Sequence, residues 1–154
     1  MRVIVLVENT SISKDYKSKH GLCLYIETKK HKLLFDLGSN SLFLKNAVKL
    51  GVNITDIDSV IISHGHNDHG GALKYFLENN AKANIYISRY AFEEYYANFL
   101  GMKWNVGLDR KLKDHPRIIL IEDEYVIDEE LQIFSNIEEH LYLPTANKSL
   151  FVKQ

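Results

Sequence analysis

Three histidines and one aspartate lie within six consecutive positions, in the segment His64-Gly65-His66-Asn67-Asp68-His69. Imidazole and carboxylate are the ligands that Zn²⁺ and similar divalent ions prefer in proteins. Four such side chains at this spacing indicate a metal site rather than an ordinary polar loop. The sequence therefore predicts that His64, His66, Asp68 and His69 bind a divalent metal ion. Zinc is the first expectation, and iron and manganese also suit these ligands.

The predicted elements on either side of this segment can hold its side chains in fixed directions. The run Val60-Ile61-Ile62 predicts a buried strand over residues 58–63, directly before the first histidine. Gly70-Gly71 opens a predicted short helix that ends at Asn79-Asn80. We expect the N-terminal N–H groups of that helix to point toward the site and to favour an anionic substrate.

The remaining chain alternates between strand and helix patterns. Strands are predicted at residues 3–7, 21–28, 32–36, 84–88, 117–121, 131–134 and 140–143, and the second and third form a hairpin. Helices are predicted from Ser39-Asn40-Ser41 to Gly51 and over residues 91–100. This order predicts an α/β (α+β) fold in which helices flank a mixed sheet.

Length and composition are those of one globular domain. The chain has 154 residues, of which 45% are hydrophobic and 25% charged. A formal net charge of −1 argues against nucleic acid or an acidic membrane as a partner. The single cysteine, Cys23, allows no internal disulfide, and the apolar run at residues 3–7 is too short for a signal peptide or a membrane span. We therefore expect a cytoplasmic protein.

The histidine-rich segment resembles the HxHxDH motif of the metallo-β-lactamase superfamily, which binds two neighbouring metal ions. Carried over by position, the resemblance implies that His64 and His66 bind one ion and that Asp68 and His69 bind the other. The segment Leu34-Phe35-Asp36-Leu37-Gly38 is similar to the F-D-x-G segment of that family. It implies that Asp36 lies beside the metal site and steadies a ligand histidine. The implied fold is part of an αββα sandwich.

Three further segments indicate a branch of this superfamily. Glu8-Asn9, His20-Gly21-Leu22 and residues 63–73 together resemble the branch that contains the dihydropterin ribofuranosylaminobenzene phosphate synthases. The similarity covers nearly the whole chain, which corresponds to about the N-terminal half to two thirds of a family member.

A complete site in this family takes further histidines and an acidic residue from later strands. After His69 the chain offers His115 and His140, and neither has the small-residue setting of the family ligands. We therefore expect residues 1–154 to form a single domain that is truncated at its C-terminus. The missing ligands are expected from a second copy in a homodimer or from a C-terminal half chain, since an exposed sheet face and edge usually find a partner.

The resemblance implies a metal-dependent hydrolase, provided that another chain supplies the missing ligands. A metal-bound hydroxide attacks an ester or phosphoester of a small-molecule substrate in this hypothesis, and Asp68 orients the nucleophile. One alternative is a catalytically incomplete metal-binding or assembly module that retains a relic of the site. A second alternative is a nuclease-like member, against which the near-neutral charge argues.

Overall fold

A mixed β-sheet packed against helices forms the centre of the protein. The computed structural model describes residues 1–135 and 148–153. In chain order their strands are β1 (Arg2–Val7), β2 (Cys23–Glu27), β3 (Lys32–Phe35), β4 (Ser59–Ile62), β5 (Asn84–Ser88), β6 (Tyr95–Phe99), β7 (Met102–Asn105), β8 (Ile118–Ile121), β9 (Glu124–Val126), β10 (Gln132–Phe134) and β11 (Leu150–Val152). The helices are α1 (Leu42–Lys49), α2 (Asn67–Gly70) and α3 (Leu73–Asn79), with 3₁₀ turns at Ile54–Asp56 and Arg110–Leu112.

The central sheet changes from antiparallel to parallel along its strand order, β1-β2-β3-β4-β5-β8. β1, β2 and β3 pair antiparallel, whereas β3, β4, β5 and β8 pair parallel. Parallel strands need crossover connections, which contain α1 between β3 and β4 and α3 between β4 and β5. The carboxyl ends of β3, β4 and β5 therefore meet at one edge of the sheet.

The hydrophobic core lies between this sheet and the helices α1 and α3. Val60 and Ile85 are paired neighbours in β4 and β5, and neither has exposed surface. Phe43 from α1 and Phe76 from α3 are also fully buried against this cluster. Burial of each such side chain stabilises the fold by about 1.5–3 kcal/mol. The core thus anchors β4, whose carboxyl end leads into the histidine-rich segment.

The opposite sheet face carries a continuous apolar row. The residues aligned across the strands are Val5, Leu24, Phe35, Ile61 and Tyr86. The hairpin of β9 and β10 covers part of this face, with the Tyr125 ring 5.2 Å from that of Tyr86. At the other end of the row, Val5 is 50% exposed. This face is therefore only partly covered by the described residues.

The predicted strands and the first helix are confirmed where the structure describes them. The hairpin of β2 and β3, the helix before Gly51 and the buried strand β4 all lie within the predicted ranges. The predicted strand at residues 140–143 lies outside the described residues. Among the described residues, no helix is long and apolar enough to cross a membrane.

The helix predicted over residues 91–100 is wrong. That region turns and then forms β6, which pairs antiparallel with β7 around Leu100-Gly101. Both turn residues have positive φ, 51° and 79°, as a two-residue hairpin turn of type I′ requires. The aromatic residues of 95–99 favour a strand, and their apparent helical spacing was less informative than the glycine that follows.

The helix predicted to open at Gly70-Gly71 also begins elsewhere. Helical backbone starts at Asn67, inside the histidine-rich segment, and a second helix starts at Leu73. The N–H of Ala72, at the start of that second helix, donates to Gly38 O at 3.0 Å. This N–H group is already paired with backbone, so it does not provide the anion-binding group that the sequence predicts.

Candidate metal centre

The predicted site residues come together at the carboxyl edge of the parallel strands. Asp36 directly follows β3, and His64 follows β4 by two positions. His66 precedes the first turn of α2, and Asp68 and His69 lie within that turn. The sheet register therefore brings Asp36 to His69 and, through Ser63, to His64, although 28 or more positions separate it from them in the sequence.

Backbone hydrogen bonds hold the histidine-rich segment on several sides. Asn67 N donates to Val106 O at 2.7 Å, and Leu37 N donates to His69 O at 2.7 Å. Leu22 N donates to Asp68 O at 3.4 Å. A Cβ at Gly65 would lie 2.3 Å from Ala91 O, so only glycine fits there. These contacts fix the backbone that carries the candidate ligands.

Asp36 is the centre of a buried hydrogen-bond network. Its side chain has no exposed surface, and its Oδ1 accepts from Ser63 N at 2.8 Å. Its Oδ2 accepts from Ser63 Oγ at 2.8 Å and from His69 Nδ1 at 2.7 Å. Asp36 has a positive φ of 58°, a conformation that aspartate tolerates better than most residues. The carboxylate therefore has three donors and directly positions the His69 ring.

This network assigns the tautomers of two histidines. Because Asp36 accepts from Nδ1 of His69, the neutral His69 ring leaves its Nε2 lone pair free. The Ser63 hydroxyl donates to Asp36, so its oxygen accepts from Nδ1 of His64, 2.9 Å away. The neutral His64 ring then also presents an Nε2 lone pair. A hydrogen bond of this kind orients an imidazole for metal binding.

The local environment shifts the pKa values of the three histidines in different directions. Burial and the neighbouring His69 and His66 rings lower the pKa of His64. Burial also lowers the pKa of His66, although Asp68 opposes this shift. The hydrogen bond to Asp36 raises the pKa of His69. His64 and His66 are therefore held toward the neutral form, which is the form that binds metal.

The candidate ligands form two close pairs. Nε2 of His64 lies 3.1 Å from Nδ1 of His66, and Oδ2 of Asp68 lies 3.5 Å from Nε2 of His69. Two ligands of one tetrahedral zinc ion, each about 2.0–2.2 Å from it, are roughly 3.3–3.5 Å apart. The Asp68–His69 separation lies within that range, the His64–His66 separation is slightly shorter, and the donor types fit a divalent ion. Within residues 1–135 and 148–153, no group of three or more His, Cys, Asp or Glu side chains is arranged to hold an ion.

Several residues around this centre were not singled out as site residues from the sequence. His20 lies 3.2 Å from Oδ2 of Asp68 through its Nε2 and 3.1 Å from Oδ1 of Asn9 through its Nδ1. Tyr95 from β6 places its ring edge-on to His66, with 5.5 Å between ring centroids. Ser63 connects Asp36 to His64, as described above. These residues were visible in the sequence, but their proximity depends on the fold.

Of the two later histidines, His115 lies among the described residues. Nδ1 of His115 accepts from Arg117 N at 3.2 Å, in the turn before β8. This hydrogen bond occupies Nδ1 of His115 in a local turn. His140 lies outside the described residues.

The comparisons with known proteins assign the family. The model of the metallo-beta-lactamase superfamily matches residues 19–145. The uncharacterized protein MJ0448 of Methanocaldococcus jannaschii is 32% identical over 132 residues, which are 82% of this chain and 50% of that protein. This chain therefore belongs to the metallo-beta-lactamase superfamily.

Solved structures agree with this assignment. Tm1679, described as a metal-dependent hydrolase of the beta-lactamase superfamily, is similar with a TM-score of 0.74 and 26% identity over 99% of this chain and 54% of its own. A quorum-quenching N-acyl homoserine lactone lactonase has a TM-score of 0.53 at 19% identity, covering 73% of this chain and 48% of its own, which supports the fold alone. The chain spans about half the length of MJ0448 and of Tm1679.

Proposed function

We propose that this chain contributes the metal-binding half of a metal-dependent hydrolase. The observation that carries the proposal is the arrangement of two ligand pairs, His64 with His66 and Asp68 with His69, at separations of 3.1 and 3.5 Å. Asp36 supports both pairs, because it fixes the His69 ring directly and the His64 ring through Ser63. Membership of the superfamily adds the hydrolase relative Tm1679 as a precedent.

Each residue has a defined part in this proposal. His64 and His66 hold one divalent ion, and Asp68 and His69 hold a second. When bound, such ions lower the pKa of water and stabilise negative charge that develops on a substrate oxygen. Asp68 also orients the nucleophile. Asp36 keeps the proton of His69 on Nδ1, so that Nε2 faces the site. Zinc is the first metal to test, followed by iron and manganese.

The substrate class that we propose is an ester or phosphoester of a small molecule. The two ligands in each of these pairs do not complete the coordination of an ion by themselves, since catalytic zinc sites in proteins commonly use three protein ligands. We propose that a second copy of the chain supplies further ligands. The partly exposed apolar row from Val5 to Tyr86 is a suitable surface for that contact. Light scattering on a sizing column tests this arrangement, and a monodisperse monomer contradicts it.

Hydrolysis of chromogenic substrates tests the proposed activity. The chain is incubated with Zn²⁺ or Mn²⁺ and either p-nitrophenyl acetate or bis(p-nitrophenyl) phosphate. We expect turnover that a chelator abolishes, that the His66→Ala/Asp68→Ala variant lacks, and that the His115→Ala control retains. Equal rates in the wild type and the double variant would contradict the proposal.

A second candidate is a non-catalytic metal-binding or assembly module. It is favoured by the finding that, in the part of the chain described, the acidic and histidine side chains form pairs and not a closed group of three. In that case the chain binds metal weakly and assembles in the same way with or without His66 and Asp68. Metal-dependent turnover in the wild type excludes this candidate.

A further inference from the structure

His20 lies beside the second ligand pair and faces it with a ring nitrogen. It belongs to the loop between β1 and β2, 48 positions before Asp68 in the sequence. Its Nε2 lies 3.2 Å from Oδ2 of Asp68, the same oxygen that lies 3.5 Å from Nε2 of His69. The fold thus brings a second imidazole, besides that of His69, to the oxygen atom that the proposed function assigns to a metal ion.

The hydrogen bonds of Asn9 determine which nitrogen of His20 carries a proton. Oδ1 of Asn9 accepts from the backbone N–H of Gly21 at 3.1 Å, which identifies this atom as the amide oxygen. Nδ1 of His20, 3.1 Å from the same oxygen, must therefore donate to it. A neutral His20 ring then presents the lone pair of Nε2 to a carboxylate oxygen. Two acceptors at 3.2 Å repel one another unless a proton or a metal ion lies between them.

Gly21 fixes the approach of this loop to the site. A Cβ on Gly21 would lie 2.0 Å from Asp68 O, and its φ of 122° is one that other residues rarely adopt. The loop is therefore packed on the backbone of Asp68 and does not merely lie near it. The His20 side chain itself is 80% exposed, so its ring can adjust without displacing packed groups.

The surroundings favour a cation over an anion at this position. His20, Asp68 and His69 line a cavity of about 200 Å³, to which Glu8 adds a second carboxylate. Among the described residues that line this cavity there is no lysine or arginine. A divalent ion is compatible with two carboxylates and two neutral imidazoles, whereas a phosphate or carboxylate ligand would meet like charge.

We propose that His20 is a third protein ligand to the divalent ion held by Asp68 and His69. This inference rests on the proposed function, because it concerns the same metal centre. Three protein ligands leave one tetrahedral position for water or substrate, which is the usual composition of a catalytic zinc site. In the structure, the side chains of His20, Asp68 and His69 are not yet arranged to hold one ion. In this proposal the exposed His20 ring moves toward the ion when the ion binds.

Two substitutions of His20 separate coordination from hydrogen bonding. His20→Gln places an amide N–H near Asp68 and preserves a hydrogen bond, but an amide is a poor zinc ligand. His20→Cys removes the hydrogen bond and supplies a thiolate, which is a good zinc ligand. The affinity of the full chain for Zn²⁺ is measured by competition with a chromogenic chelator. The wild type and His115→Ala are the controls.

We expect His20→Gln to weaken Zn²⁺ binding at this position by about 10-fold or more. His20→Cys should bind within about 3-fold of the wild type, since thiolate replaces imidazole as a ligand. With Co²⁺ in place of zinc, the His20→Cys variant should gain a thiolate-to-cobalt charge-transfer band. The wild type provides the baseline because its only cysteine, Cys23, is fully buried.

The outcomes distinguish failure of this inference from failure of the proposed function. If the wild type takes up no divalent ion, both are overturned. If the wild type binds Zn²⁺ and His20→Gln binds it equally well, only the role of His20 is overturned. The same conclusion follows if His20→Cys shows no charge-transfer band, or if it loses binding while His20→Gln keeps it. The last result identifies His20 as a hydrogen-bond donor to Asp68.

Discussion

Replacement of Asp36 by asparagine changes the proton positions of two candidate ligands without a large change in shape. Asparagine has the same size as aspartate and tolerates the positive φ of 58° found at this position. Its amide nitrogen, however, must face either Ser63 N or the pair of Ser63 Oγ and His69 Nδ1. The first arrangement opposes two N–H donors, and the backbone N–H cannot turn away.

The second arrangement is relieved by a change of tautomer. Nδ1 of His69 then accepts from the amide, and the proton moves to Nε2. The Ser63 hydroxyl accepts from the amide and donates to Nδ1 of His64, whose proton also moves to Nε2. Both nitrogens that face the site lose their lone pairs. Loss of such supporting hydrogen bonds typically reduces metal affinity 10- to 100-fold, equivalent to about 1.4–2.7 kcal/mol.

Zinc competition titrations on Asp36→Asn and the wild type measure this effect. Asp58→Asn is the matched control, because its Oδ2 also accepts a backbone N–H, from Lys32 at 2.8 Å, but it lies outside the candidate ligand cluster. Nitrogen NMR of the His64 and His69 rings reports the tautomers directly. We expect weaker binding and a proton on Nε2 in Asp36→Asn, and near wild-type binding in the control. Asp36→Asn with wild-type affinity and the proton still on Nδ1 would refute the reasoning.

Three other substitutions test contacts of the loops and turns of the fold. Gly21→Ala should weaken zinc binding and destabilise the fold by more than about 1 kcal/mol in urea unfolding, because its Cβ would lie 2.0 Å from Asp68 O; unchanged binding and stability would contradict that contact. The second substitution is His31→Asn. Burial lowers the pKa of His31, but its hydrogen bond to Asp128, together with the neighbouring carboxylate charges, outweighs this effect and leaves the pKa raised. The ion pair of protonated His31 with Asp128 therefore stabilises the fold fully below the unfolded pKa of about 6.5, and this stabilisation is lost as the pH rises through the higher folded pKa. The stability advantage of the wild type over His31→Asn should therefore shrink between about pH 5.5 and 8, and an advantage that grows would reverse the assigned sign. Asn80→Ala removes five hydrogen bonds from a buried side chain and should cost about 2–4 kcal/mol of unfolding free energy, with exposed Asn79→Ala as its control; equal stability of the two variants would show that solvent replaces those bonds.

The parallel part of the fold is predictable from the sequence because its strands are buried and therefore consist of continuous apolar runs. Val60-Ile61-Ile62 is a β-branched run followed directly by polar residues, and β4 occupies it. The candidate metal ligands are also predictable from the sequence, since all four lie in one short segment. The helix prediction for residues 91–100 was wrong because the aromatic side chains there occur at spacings that suit both a helix and a strand. The turn at Leu100-Gly101 decided between them.

The remaining site residues depend on contacts that local sequence does not encode. Asp36 was recovered only through a resemblance, and its hydrogen bond to His69 spans 33 positions. His20 and Asn9 lie in a loop whose polar composition is typical of an ordinary connection. Only the packing of Gly21 on Asp68 brings that loop to the metal segment. The contacts of His20 with Asn9 and Asp68 therefore follow from the tertiary structure.

The most direct test of the central claim is the metal content per chain of purified protein, measured by elemental analysis. The wild type, His66→Ala/Asp68→Ala and His115→Ala are compared after exposure to equal Zn²⁺ and removal of excess ion. The account predicts near-stoichiometric zinc in the wild type and in His115→Ala, and little in the double variant. Equal zinc in all three proteins, or none in the wild type, would contradict the claim that His64, His66, Asp68 and His69 form a metal centre.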